Sequence, residues 1–299
     1  MEAFAYAAPR TVAEAVRLLA DAQGAARPLA GGTDLIPQLQ EGRRRADLVV
    51  DVKGIPEMNE IRWDPEAGLT IGAAVPCAQV ARSPHVQRHY PALHTACTLI
   101  GSIMIQHRAS LGGNLGNAAP SADGVPPLMV YGAEAVIAGP GGTRRVPVEA
   151  VPTGPGQTCL APGELIIALH LPVPPPHTGS HYLRFTPRHE MDIAVAGVGA
   201  AVTVDPATGA CTRVRLALGA VAPTPVRAPE AEEYLTGKPL TREHVEEAAR
   251  RAVAAARPIS DVRGSADYRR HLIAVLTRRA LAACRAQLEP KGGAQAAAG

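Results

Sequence analysis

The sequence is poor in aromatics, with two phenylalanines, six tyrosines and one tryptophan in 299 residues, or 3%. That scarcity argues against a nucleic-acid surface, which interleaves aromatic rings for base stacking with basic side chains. Charge of one sign is also missing. The net charge is +3, and basic residues are scattered apart from GRRRAD at Arg43–Arg45, which reads as a solvated loop. The five cysteines, Cys77, Cys97, Cys159, Cys211 and Cys284, are odd in number and far apart, so no local disulfide framework, CxxC metal site or iron–sulfur site can be built from them. The histidines show no ligand spacing, and HEMD at His189 is not the HExxH of a zinc protease. No apolar run approaches the roughly 18 residues of a membrane span, and MEAFAYAAPR lacks the basic and hydrophobic regions of a signal peptide. These absences describe a cytoplasmic protein with no metal of its own, no nucleic-acid partner and no stable membrane insertion.

What is present organises into an α+β chain. Thr11 followed by Glu14 forms a capping box ahead of apolar residues at helical spacing, and RPLA reads as a short strand entering Gly31-Gly32. DLIPQLQEG then reads as a short helix and ADLVVDV as a buried strand, which closes a small α/β unit near residue 55. A second unit, to about residue 175, holds the strand GLTIGAA and a helix in PALHTACTLIGS with Leu93, Ala96, Cys97 and Ile100 along one face. It continues through the helix PPLMVYGA, the hairpin turn PGGT, and the strands AEAVIAG, RRVPVEA and GELIIALHLP. The proline-rich LPVPPPHTG at Leu171–Gly179 marks the boundary. Beyond it, over 176–288, HYLRFT, IAVAGVGAAVTV and TRVRLALGAV read as antiparallel strands. Two helices follow, one capped by Thr241 and one starting at Ser265 with Tyr268, Leu272, Val275 and Leu276 on one face, and the tail 289–299 reads as disordered.

Several motif matches fail. GVGAAV at Gly197 lacks the third glycine of a dinucleotide fingerprint and runs into a strand where a helix is needed, and TGKPL has Pro239 where a phosphate-binding loop needs Ser or Thr. Two glycine pairs survive, in LAGGTDL at Leu29–Leu35 and in RASLGGNLGNAAPSAD at Arg108–Asp123. A diphosphate needs converging backbone N–H groups, and glycine lets the backbone adopt the required angles and approach without a Cβ in the way. Thr33, Ser110 and Asn114 would add side-chain donors, and Asp123 a carboxylate for a ribose hydroxyl or adenine amine. The competing reading is a pair of ordinary tight turns, and spacing alone does not name the ligand.

Together with PGELIIALHLP at Pro162–Pro172 and the closing PISDVRGSADYRRHLIAVLTRRAL, these stretches resemble the FAD-binding medium subunit of the molybdenum hydroxylases, the family of carbon monoxide dehydrogenase and the flavin part of xanthine dehydrogenase. The resemblance covers nearly the whole chain in order. It implies a FAD-binding domain of the vanillyl-alcohol-oxidase (p-cresol methylhydroxylase) type over 1–175, with two α/β subdomains, and a C-terminal domain over 176–288 with a three-stranded antiparallel sheet and helices. It places the FAD diphosphate between Leu29, Ala30, Gly31, Gly32, Thr33, Asp34 and Leu35 on one side and Ser110, Gly112, Gly113, Asn114 and Asn117 on the other. Asp123 falls toward the adenosine end. Ile100 matches a position near the isoalloxazine ring, Ile166 one whose backbone meets the flavin edge, and Ile193 one that covers the ring. Arg184 matches a position usually held by lysine and keeps a positive charge for a reduced, anionic ring. Core packing is the competing reading for the three isoleucines, and a surface salt bridge for Arg184. No cysteine-rich insertion is present, which disfavours the aromatic acyl-CoA reductase branch.

The resemblance implies an oxidoreductase component rather than a complete enzyme, with no catalytic acid or base of its own. Its partners would be a large molybdopterin-binding subunit and a small subunit with two [2Fe–2S] clusters, in a dimer of heterotrimers. FAD would pass electrons to an external acceptor such as a quinone, NAD or oxygen. The alternative is a stand-alone flavin oxidase, which would need a substrate-side base and a longer substrate domain.

Overall fold

The computed structural model describes residues 2–289, so the tail read as disordered lies, Glu289 apart, outside the described residues. The N-terminal unit runs β1 (Ala5–Ala7), α1 (Val12–Asp21), β2 (Ala26–Leu29), α2 (Leu35–Gln40) and β3 (Leu48–Asp51), with a parallel sheet in the order β1-β3-β2. Helix α1 starts as its capping box predicts. The Thr11 hydroxyl accepts from the Glu14 N–H at 3.2 Å, while the Glu14 carboxylate reaches the Arg10 N–H at 3.1 Å, one residue earlier than the reciprocal bond. Pro28 is tolerated in β2 because that strand lies at the sheet edge.

The second unit contains β4 (Ile61–Asp64), β5 (Gly68–Gly72), and the helices α3 (Cys77–Arg82), α4 (Pro84–His89), α5 (Pro91–Leu99), α6 (Ile103–Gln106), α7 (Leu111–Asn117) and α8 (Val125–Tyr131). It continues through β6 (Glu134–Gly139), β7 (Gly142–Pro147), a small pair β8 (Pro152–Gly154) and β9 (Gln157–Thr158), and β10 (Leu165–Leu171). Five of these strands form an antiparallel sheet, β4-β5-β10-β6-β7, in which the last strand of the unit lies at the centre. Its apolar residues, among them Leu69, Ile71, Ile137 and Leu169, are fully buried. RRVPVEA does not stay extended to its end: β7 stops at Pro147 and Val148–Ala150 form a 3₁₀ turn.

The third unit pairs β11 (Thr178–Phe185), β12 (Ala196–Val204) and β13 (Cys211–Gly219) antiparallel, with the two-residue β14 (Val226–Arg227) added at the edge. Three helices cover it, α9 (Pro229–Leu235), α10 (Arg242–Ala252) and α11 (Ala266–Leu288), one more than the sequence pattern indicates. PEAEEYL does carry start signals for α9, a proline at the first position and acids in the first turn. The buried face of α11 also differs from the one expected. Leu272 and Leu276 are buried, but beside Ile273, Ala280 and Leu281, and Tyr268 is 41% exposed. The face turns because Arg269 points inward. Its guanidinium donates to Val195 O at 2.7 Å and Ala220 O at 3.1 Å and pairs with Asp261 at 2.7 Å. A buried arginine supplied with partners in this way does not show in an apolar periodicity.

Helix α8 of the second unit lies on β12 and β13, which explains one of the glycines of GVGAAV. A Cβ at Gly199 would come within 3.1 Å of the Pro126 backbone, so this glycine serves close packing between the two units, while Gly197 makes room for Tyr182 of β11. The buried Tyr131 hydroxyl of α8 meets the Ser180 hydroxyl of β11 at 2.6 Å across the same interface. No helix among the described residues is long and apolar enough to cross a membrane, and none of their His, Cys, Asp and Glu side chains group as metal ligands.

Candidate cofactor site

A cavity of about 680 Å³ opens where the three units meet, within the size range of cofactor sites. The loop after β2, the start of α7, the segment Pro162–Ile166 and the residues Met191–Ile193 all contribute walls. Every residue expected at the FAD site lines it except Leu29 and Arg184. Leu29 packs beside the cluster of Leu39, Ala46 and Val49 instead.

The two glycine pairs have different local structures. Ala30–Asp34 form an irregular turn with Gly32 at φ +77°, in the left-handed region that only glycine enters without strain. The second pair is no turn: Gly112 and Gly113 lie in the first turn of α7, which Ser110 caps by accepting from the Gly113 N–H at 3.1 Å. Their individual roles also divide. A Cβ at Gly31 would sit 2.1 Å from Arg108 O, and one at Gly112 would sit 2.5 Å from Ala73, so these two glycines let backbone segments touch. At Gly113 and Gly116 a Cβ would face open cavity, meeting only Ser110 Oγ at 3.1 Å, Ala30 Cβ at 4.0 Å and Ile166 Cδ1 at 3.9 Å.

Across from that glycine face, the backbone N–H groups of Gly31, Gly32, Thr33 and Asp34 donate to no acceptor among the described residues. Successive unpaired N–H groups in a turn make an anion-binding concavity, and here they meet a wall whose missing Cβ atoms leave room for a ligand. The residues therefore fit a dinucleotide diphosphate. Asn114 contributes less freely than expected. Its side-chain oxygen accepts from the Gly124 N–H at 3.0 Å, which ties α7 to α8 and leaves its NH₂ to donate.

Asp123 occupies the wall as a buried carboxylate with both oxygens engaged. Tyr182 donates to one at 2.7 Å and Arg184 to the other, in a contact whose side chains are 9% and 4% exposed. Burial pushes the Asp123 carboxyl up from its ordinary value, against the pull of Arg184 and the Tyr182 hydroxyl. Arg184 is thus no surface residue, and its charge is balanced by Asp123 rather than standing free for a ligand. Ile100 and Ile166 are buried in the cavity wall, Ile166 where the pairing of β10 with β6 shifts register. Ile193 is 47% exposed at the mouth, beside Met191, whose N–H donates to Gly101 O at 3.1 Å across the opening. The lining also includes Arg27 and Ile105, which no sequence motif singled out, Gly116 of the second glycine block, and Arg44, whose GRRRAD run reads as a solvated loop in the sequence.

Comparison with known proteins assigns the class that this geometry describes. Residues 2–174 match the family model of the FAD binding domain in molybdopterin dehydrogenase, and residues 181–284 match the CO dehydrogenase flavoprotein C-terminal domain. The chain belongs to this family of flavoproteins, the FAD-binding subunits of the molybdenum hydroxylases, and is an oxidoreductase component that binds FAD. It is 36% identical over 272 residues to the xanthine dehydrogenase FAD-binding subunit of Escherichia coli O157:H7, which spans 91% of this chain and 92% of that one. It is 33% identical over 278 residues to the carbon monoxide dehydrogenase medium chain of Hydrogenophaga pseudoflava, spanning 93% and 96%. Among solved structures, carbon monoxide dehydrogenase from Hydrogenophaga pseudoflava superposes with a TM-score of 0.92 at 33% identity, covering 96% of this chain and 98% of that one.

Proposed function

We propose that the chain is the electron-exit subunit of a molybdenum hydroxylase. Substrate is hydroxylated at a molybdopterin centre in a large partner, electrons cross the two [2Fe–2S] clusters of a small partner, and they leave through FAD in this cavity to a quinone, NAD or oxygen. Bound FAD supplies a group that takes up and releases electrons one at a time. The chain's own residues hold it: Gly31–Asp34 and the glycine face of α7 cradle the diphosphate, Ile100 and Ile166 wall the ring, and Met191–Ile193 cover the mouth.

The observation that carries this reading over a stand-alone oxidase is the state of the acids around the cavity. No histidine is among the lining residues, and three of the four lining carboxylates are engaged. Asp123 is held by Tyr182 and Arg184, Glu164 by Arg144 at 2.7 Å, and Asp192 accepts from the N–H groups of Arg188 at 3.0 Å and Ile193 at 2.9 Å. The fourth, Asp34, ends the Ala30–Asp34 turn whose N–H groups would face the diphosphate. Asp34 apart, every lining carboxylate is held by hydrogen bonds, which leaves no acid or base arrayed to take a proton from an alcohol or hydroxy acid. Anaerobic stopped-flow provides the test: the purified chain should hold FAD yet leave it oxidised with organic substrates, and adding the two partner subunits should restore substrate-dependent bleaching. Rapid bleaching of the chain alone by an alcohol or hydroxy acid would establish the oxidase instead.

The loop Thr186–Asp192 would control access of the acceptor. Its carboxylates are not equivalent, because Asp192 braces the loop backbone while Glu190 is exposed. Glu190→Lys is expected to change reoxidation by a charged acceptor more than by oxygen, measured by mixing the reduced protein with each. Equal effects on both would make the loop a plain surface feature.

A further inference from the structure

The backbone cradle supplies neutral donors, whereas a FAD diphosphate carries two negative charges. Two arginines line the same cavity. Arg27, in β2, and Arg44, in the loop before β3, both line the cavity, and neither forms an ion pair with a carboxylate of the described residues. Their hydrogen bonds go to carbonyl oxygens alone: Arg27 to Gly24 at 2.7 Å and Ala26 at 3.0 Å, Arg44 to Gly156 at 3.3 Å. The Nε of Arg27 is buried with no partner among the described residues. Burial holds the Arg44 guanidinium below its ordinary value, and the Arg27 charge adds to that. Asp34, the nearest acid to act on Arg44, is itself pushed up by desolvation. Paired like charges in a desolvated wall are costly unless an anion enters between them.

Resting on the FAD reading above, we infer that Arg27 and Arg44 form a cationic clamp that balances the diphosphate charge in the AMP half of the cofactor and makes its affinity salt-dependent. The glycine loops provide shape and N–H donors, and the arginines provide the charge. The clamp recognises phosphate, not the adenine ring, so adenosine should be indifferent to it.

The test uses the full chain stripped of flavin, with FAD, ADP and adenosine as separate probes at low and high salt. In Arg44→Gln and Arg27→Gln, affinity for FAD and ADP should fall about tenfold to a hundredfold, the effect of one charge-assisted hydrogen bond. The salt dependence should flatten and adenosine binding should stay unchanged. Thermal unfolding gives an independent readout. Removing one of two like charges should leave the flavin-free Arg44→Gln chain melting at the same or a higher temperature, while the rise on adding FAD shrinks. Equal weakening of adenosine and ADP would show recognition of the base and overturn the clamp. A flavin-free variant destabilised as much as the loaded one would overturn it as well, by showing a structural role. Unchanged FAD affinity and salt slope in both variants, with wild type binding FAD normally, would overturn it too. Failure of the wild type to bind FAD at all would instead remove the reading on which it rests.

Discussion

Replacing Gly113 with valine is expected to strip the chain of FAD and leave its circular dichroism intact, whereas replacing Gly31 with valine is expected to destroy the fold itself. Both glycines belong to the paired motifs, yet they face different neighbours. A side chain at Gly113 would project into the cavity, where it meets only Ser110 Oγ and Ala30 within 4 Å, and would occupy the volume the diphosphate needs. At Gly31 the first added carbon would overlap the Arg108 carbonyl and Ala109 Cα, backbone atoms that cannot swing away. Gly112→Val should behave like Gly31→Val because Ala73 stands in its way. Gly32→Val should lose the cofactor with partial destabilisation, since its φ of +77° costs a β-branched residue about 1–3 kcal/mol. Flavin absorbance after desalting, read beside circular dichroism, separates the cases. Full flavin retention in Gly113→Val and Gly32→Val would remove the diphosphate assignment.

The second large effect is expected at Asp123. Asp123→Ala leaves the Arg184 guanidinium and the Tyr182 hydroxyl buried without their acceptor, and breaking a buried ion pair from one side costs about 3–5 kcal/mol. The urea midpoint should fall accordingly, and replacing both partners together, as in Asp123→Leu with Arg184→Met, should recover much of the loss. A small shift in the single variant would mean that water reaches Arg184. Because Asp123 belongs to the second unit and Arg184 to the third, the same substitution should loosen the contact between them and weaken FAD retention.

Much of this architecture is legible in the sequence, and what is not has identifiable physical causes. The capping box at Thr11, the apolar strand LIIALHL and the glycine pairs all report local constraints, and each sits in the expected kind of element or on the cavity wall. Tertiary contacts are what local pattern cannot show. Arg27 and Arg44 look like ordinary surface arginines until the fold brings them to one cavity, and Arg269 breaks the apolar face of α11 because its carbonyl partners lie 74 and 49 residues away. Gly197 and Gly199 resemble a nucleotide fingerprint, yet their neighbours are Tyr182 and Pro126. Locally, LGGN is the capped start of a helix rather than a tight turn, and the two share the same Gly-rich signature.

The position of β10 has a consequence for how the protein is made. A ribosome releases the strands of the central sheet in the order β4, β5, β6, β7 and β10, but the last of them pairs with both β5 and β6. Until Leu171 has emerged, the facing edges of β5 and β6 lack their partner and the apolar helices behind them lack a closed sheet to rest on. Such an open edge is the kind of surface that strays into wrong pairings during synthesis. The cavity, whose walls also need Met191–Ile193, is completed later still. Cofactor loading therefore waits on a nearly finished chain, and a translation product truncated before β10 should be insoluble rather than merely flavin-free.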